Sequence, residues 1–166
     1  IAVAIDSSQT FISLQNRTDQ LSAVLEISQT ISSNLDLNSL LDEVSRLIKD
    51  HFGYDFIHVY VLHQGRKKLH FQGGSSSKTE KLRNLQVEFD LNDPHGIIPW
   101  VARNNKHYLA PDIATDPKYL KPSAYCEKMG SELAIPLVAG GSVLGVLDLQ
   151  TKSKNGFNVS DIPLLQ

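Results

Sequence analysis

Ser131-Glu-Leu-Ala-Ile-Pro-Leu-Val-Ala-Gly140-Gly-Ser-Val-Leu-Gly-Val-Leu-Asp-Leu-Gln150 reads as two strands joined by a tight turn. Leu133, Ile135 and Leu137 alternate with Glu132, Ala134 and Pro136, and Val143 to Leu149 is almost wholly apolar. Between them stand Gly140 and Gly141. Lacking a Cβ, they supply the positive φ that a two-residue hairpin turn requires. Apolar runs flanking such a pair are a strong hairpin signal. The second run lacks alternation, which predicts a strand buried on both faces and therefore a sheet with material packed over each side.

Upstream, Leu37, Leu40, Leu41, Val44, Leu47, Ile48 and Phe52 recur with helical periodicity, with Asp36 as N-cap and Gly53 at the position that stops the helix. Phe56–Leu62 is β-rich, Gln64–Arg66 reads as a turn, and Lys67–Gln72 as its partner strand. Gly73-Gly74-Ser75-Ser76-Ser77 reads as a flexible loop. Gln86–Leu91 alternates as a third strand. Asp93 and Pro94 are placed to open a helix that Asn104-Asn105-Lys106 ends, with Pro99 tolerable only in its first turn. His107–Ile113 reads as a fourth strand, and Asn158-Val159-Ser160-Asp161 opens a terminal helix. The order predicts an α+β fold whose simplest assembly is a six-stranded antiparallel sheet.

The central hairpin, together with Gly96-Ile97-Ile98-Pro99-Trp100-Val101-Ala102-Arg103 and Pro111-Asp112-Ile113-Ala114-Thr115-Asp116-Pro117-Lys118-Tyr119, resembles GAF domains over roughly residues 20–166. The family commonly has Gly where this chain has Pro99. The resemblance implies a central antiparallel sheet, related to PAS-type sensor folds. Terminal helices pack on one face and a ligand-side layer of loops and short helices on the other. It also implies a signalling role, with a bacterial two-component sensor histidine kinase as the expected parent.

Composition narrows the function. The chain has 166 residues, 41% of them hydrophobic, which predicts one domain with a proper core. Sixteen basic against eighteen acidic residues leave a net charge of −2, so neither nucleic acid nor an anionic membrane is an expected partner. No run approaches the roughly 18 apolar residues that span a bilayer. The single cysteine, Cys126, excludes an internal disulfide and fits a cytoplasmic location, although the parent could be anchored elsewhere. The absence of a starting Met suggests a segment of a longer protein. We divide it into an upstream linker (1–15), an incoming helix (16–35), a second helix (36–52), the sheet and pocket layer (56–151) and the start of an outgoing helix (158–166). Leu14, Leu21, Ser28 and Leu35, with Val24 and Ile31, form a weak heptad consistent with a homodimer through flanking helices.

No catalytic set assembles: there is no phosphate loop, no His-Glu-x-x-His and no Gly-x-Ser-x-Gly. Of six histidines, His58 and His70 are expected on one sheet face beside Tyr60, where two imidazoles could hold a metal or one could hold haem iron. With no third or fourth ligand evident, they read as ordinary strand residues and no metal is assigned. Some GAF domains attach a bilin to a cysteine followed by His, but Glu127 follows Cys126. Others reduce free methionine sulfoxide with a catalytic and a resolving cysteine, and a lone thiol leaves no internal partner. Neither haem nor bilin is expected and no cofactor is required.

Cyclic-nucleotide-binding members carry Asn-Lys…Phe…Asp-Glu after the last strand. This chain matches at Lys152, Phe157 and Asp161 and departs at Thr151 and Ile162, so these residues read equally as a brace of the lid region. The candidate pocket is the irregular stretch Pro111–Tyr125, with Trp100, Tyr119 and Tyr125 as walls and Asp112, Thr115, Asp116 and Glu132 as polar contacts. Asp116, followed by Pro117, reads also as a cap. The expected function is a small-molecule-sensing regulatory domain that is not itself an enzyme. The alternatives are a ligand-free dimerisation scaffold or a cyclic-nucleotide GAF domain of a cyclase or phosphodiesterase.

Overall fold

The computed structural model describes residues 37–63, 65–120 and 128–166. The linker, the incoming helix with its heptad, Tyr125 and Cys126 lie outside them. The described residues form helix α1 (Leu37–Phe52), strands β1 (Phe56–His63) and β2 (Lys68–Gly74), helix α2 (Thr79–Asn84) and β3 (Glu88–Asp90). Helix α3 (Ile97–Asn104), β4 (Tyr108–Ala110), β5 (Ser131–Ala139), β6 (Ser142–Thr151) and a closing 3-10 helix (Val159–Leu164) follow. The strands make one six-stranded sheet in the order β3-β2-β1-β6-β5-β4, and every pair is antiparallel.

The hairpin that decides the fold is present as predicted. Ala139 pairs with Ser142 around Gly140 and Gly141, whose φ angles are 57° and 76°. Both central residues therefore occupy the left-handed region that a type I′ turn needs. Beyond Ala134 no fourth-strand residue reaches β5. That open edge is where Pro136, which cannot donate to a ladder, is tolerated. β6 runs at the centre of the sheet, between β1 and β5, which is why Val146, Leu147 and Leu149 are buried.

Alternation then separates two cores. Ile57, Val59, Leu133, Ile135, Leu147 and Leu149 face α1 and the closing 3-10 helix, meeting Ile48 and Ile162. Tyr60, Phe71, Ala134 and Val146 face the other way, under Ile97, Ile98, Val101 and Ala102 of α3. Each fully buried aliphatic side chain contributes about 1.5–3 kcal/mol. α1 stops where expected: Gly53 has φ 74° and donates its N–H to the Lys49 carbonyl at 2.8 Å.

Several sequence expectations need correction. Gly73 and Gly74 are not loop residues; they end β2 and are buried under α1. A Cβ on Gly73 would stand 2.7 Å from the Leu41 Cβ and 2.8 Å from an Asp42 carboxylate oxygen. Gly73 lets the helix approach, and a Cβ on Gly74 would stand 2.6 Å from the Ile57 carbonyl oxygen of β1. The polar segment after them forms α2. Strands three and four are each only three residues long. Pro94 does not open α3. The helix starts at Ile97 with Gly96 as N-cap at φ 94°, and the Asp93 carboxylate instead accepts from the His95 N–H in the preceding turn at 2.8 Å. Pro99 thus falls in the first turn, where its missing N–H costs no helix bond. The terminal helix is a 3-10 turn, capped by the Asn158 side chain, which accepts from the Ser160 N–H.

His58 and His70 do not share a face. His63 pairs with Lys68, Val61 with His70 and Tyr60 with Phe71. The connection is therefore four residues long rather than three, and a one-residue change in register turns His70 to the opposite side. His70 stands with His63, ring centroids 4.7 Å apart, while His58 stands with Tyr60 and Phe71.

Candidate functional site

The sheet face under α3 carries charge inside a hydrophobic layer. In register, Ala134 of β5, Asp148 of β6 and His58 of β1 form one cross-strand row. Glu132, Gln150 and Phe56 form the next. Glu132 is therefore a diagonal neighbour of Asp148 on the same face. Both are almost completely buried, at 3% and 1% exposure. Asp148 Oδ2 accepts from Gln150 Nε2 at 3.0 Å and lies 3.5 Å from His58 Nδ1. Its Oδ1 and the far ring nitrogen of His58, Nε2, are buried with no hydrogen-bond partner.

Burial pushes the Glu132 carboxyl well above the usual carboxylate range, and the negative charges of Asp148 and Asp116 push it the same way.

Aromatic groups roof the layer. Trp100 of α3 meets Tyr108 of β4 edge-on, with ring centroids 5.1 Å apart. The Tyr108 hydroxyl donates to the Asp116 carboxylate, at 3.1 and 3.2 Å from its two oxygens. Burial and this carboxylate both raise the phenol's pKa. The Lys118 ammonium lies 5.6 Å from the Trp100 ring centroid and 5.9 Å from that of Tyr108, within cation–π range.

The structure thus brings together Trp100, Asp116 and Glu132 from the sequence-predicted set, with Tyr119 packed against the same core. Asp116 is also the cap its sequence suggested, accepting from the Lys118 N–H at 2.8 Å. Asp112 and Thr115 belong to a surface turn instead. Asp112 accepts from the Ala114 N–H and from Lys154 Nζ, and the exposed Thr115 hydroxyl donates back to the Asp112 carbonyl.

Sequence reasoning missed Asp148, Gln150 and Tyr108, and read His58, correctly placed beside Tyr60, as an ordinary strand residue. One signal was available: Asp148 is a lone charge in a run otherwise read as buried on both faces, and such a charge requires a partner.

The lid-brace residues lie on the other side of the sheet. Tyr54 donates its hydroxyl to Asp161 Oδ2 at 2.9 Å, and Phe157 packs on the same ring with centroids 4.8 Å apart. The backbone N–H of Lys152 donates to Asp55 Oδ2 at 2.8 Å. These contacts anchor the closing 3-10 helix beside α1. Removing the phenol hydroxyl in Tyr54→Phe takes one donor from a buried carboxylate. We expect a loss of about 1.5–3 kcal/mol, read as a lower urea midpoint; an unchanged midpoint would show that Asp161 is satisfied without it.

Among the described residues no group of three or more potential metal ligands converges, and no helix is long and apolar enough to cross a membrane.

Residues 34–166 match the family described as GAF domain. The chain belongs to that family. Among curated relatives, Nif-specific regulatory proteins of Azospirillum lipoferum and Azospirillum brasilense are each 26% identical over 142 residues, 82% of this chain and 22% of theirs. The chain thus spans about a fifth of the length of these relatives. Among solved structures, the GAF domain of a phosphoenolpyruvate-protein phosphotransferase from Coxiella burnetii superposes with a TM-score of 0.80 at 17% identity, covering 89% of this chain and 86% of that one. A free methionine-R-sulfoxide reductase from Neisseria meningitidis, in complex with its substrate, superposes with a TM-score of 0.72 at 17% identity, covering 88% and 81%. The same fold therefore serves regulatory proteins and an enzyme.

Proposed function

We propose that this GAF domain is a small-molecule-sensing regulatory domain of a bacterial signal-transduction protein. It binds its ligand in the layer between the sheet and α3, and relays occupancy through the segments flanking residues 37–166. The observation that carries this reading is the buried Asp148–His58 row with Glu132 diagonal to it, because buried polar atoms without partners are rare and costly in a finished core. A ligand supplying a donor to Asp148 Oδ1 completes the row. The domain acts in this reading by binding, not catalysis, in the cytoplasm and without a resident metal, haem or bilin. The parent is a sensor histidine kinase or, as the Nif-specific relatives suggest, another regulator. Binding signals only if the ligand favours one arrangement of the flanking helices over the other.

Native mass spectrometry of protein purified without denaturation tests this. Wild type should carry a discrete excess over the chain mass, and Asp148→Asn should lose it. Bare chain mass in both, as dimers of equal stability, would overturn sensing in favour of the scaffold reading. That second reading draws on Leu37 and Val159, large apolar side chains left 51% and 66% exposed where the flanking segments join. In either reading the expected assembly is a homodimer.

A further inference from the structure

On the α1 side of the sheet, away from the pocket layer, a cleft of about 310 Å³ opens between the start of α1, the β1–β2 hairpin, α2 and the stretch leading into β3. Arg66, Arg83, His63 and His70 all line it, and Glu88 is the one acidic residue among its lining. Glu88 is already held by Lys68, so its charge is neutralised locally.

Arg83 is fixed before any ligand arrives. Its Nη2 donates to both oxygens of Asp42 at 2.8 Å, and its Nε to the Gln72 carbonyl at 3.1 Å. Among the described residues this leaves Nη1 uncommitted. Arg66 sits at the hairpin connection with no side-chain hydrogen bond or ion pair among the described residues. Its charge is felt at Glu88, whose carboxyl is held low first by Lys68, with His70 and Arg66 adding to the effect. His70 turns Nδ1 toward Glu88 Oε2 at 3.6 Å, while its Nε2 is buried without a partner. Two guanidinium groups from different elements thus line one open space, with the His70 ring among its walls.

We propose that this cleft is a second ligand site, for a small metabolite bearing a phosphate or carboxylate group that Arg66 and Arg83 hold as a clamp with His70 beside it. A guanidinium prefers planar, bidentate oxyanions, and one already oriented by Asp42 loses little freedom on binding. The site is also mechanically connected. Asp42, the partner of Arg83, lies on α1, and Asn38 in the first turn of α1 accepts from Gln72 on the cleft wall. An occupant that redirects Arg83 acts on the helix leading to the upstream segment.

Titrations of the full chain with inorganic phosphate and, separately, with succinate test this, read by backbone amide NMR at constant ionic strength. The expected result is saturable shifts confined to His63, Arg66, His70, Arg83 and Gln86. Arg66→Ala should weaken saturation about tenfold or more, and Arg66→Lys should recover part of it. Because Arg66 has no side-chain bond to lose among the described residues, its alanine variant should stay folded. Asp148→Asn should bind phosphate as wild type does, which separates this cleft from the pocket layer. Tighter saturation by phosphate assigns a phosphoryl group, and tighter saturation by succinate a carboxylate. Shifts that do not saturate, or that persist unchanged in Arg66→Ala, overturn the proposal.

Discussion

Gly145→Ala should lower the folding stability by about 3 kcal/mol, at the top of the range for overpacking a well-filled core. A Cβ built on Gly145 stands 2.2 Å from the Tyr60 carbonyl oxygen and 3.3 Å from the Tyr60 carbonyl carbon and the Val61 Cα. These are backbone atoms of β1, the strand paired directly with β6. No side-chain rotation relieves the contact, so the two central strands must separate or Gly145 must leave the ladder. Gly65→Ala is the matched control. It lies at the β1–β2 connection with nothing within 4 Å of the added Cβ, and should shift stability by no more than about 0.5 kcal/mol. Urea unfolding of both variants reads the difference, and coincident midpoints would refute the close approach of β1 and β6.

Glu132→Gln should change how stability depends on pH. The native state holds the Glu132 proton to a higher pH than the unfolded chain does, because the folded carboxyl is buried and faces Asp148 and Asp116. Between the ordinary carboxylate value and the raised one, the unfolded state binds fewer protons. Wild-type stability therefore falls as pH rises through that window. Glutamine has no proton to release and lacks this slope. The variant should gain on wild type as pH rises above the ordinary carboxylate value. Denaturant melts across a pH series measure it. Parallel pH curves for the two proteins would mean that Glu132 is ionised in the fold and that the buried row is not built as described. The same variant bears on function, since a ligand completing the row meets an amide in place of an acid.

Much of the architecture was legible in residue order. The spacing of apolar residues from Leu37 to Phe52 defined α1, and Gly53 ended it. Gly140 and Gly141 with their flanking runs defined the hairpin. Asn105, at φ 49°, closes α3 where the Asn-Asn pair predicted. Each of these depends on periodicity or on φ preferences that neighbouring residues carry with them. Trp100, Asp116 and Glu132 were also legible as candidates for the pocket layer, because aromatic and acidic residues stand out in irregular or apolar surroundings.

What the sequence could not supply depends on parity and long-range contact. A connection of four residues instead of three moved His70 to the opposite face from His58. Gly73 and Gly74 resemble a linker until α1 is seen against the first and β1 against the second. Asp148 meets His58 only because β6 pairs with β1 across 90 residues of chain. The raised pKa of Glu132 follows from its burial, with the charges of Asp148 and Asp116 adding to it. Local sequence determined which elements form, through short-range periodicity and backbone preference. Only the tertiary structure decided which polar groups lose their water and which neighbours they meet, because strand register and burial are set by residues far apart in the chain.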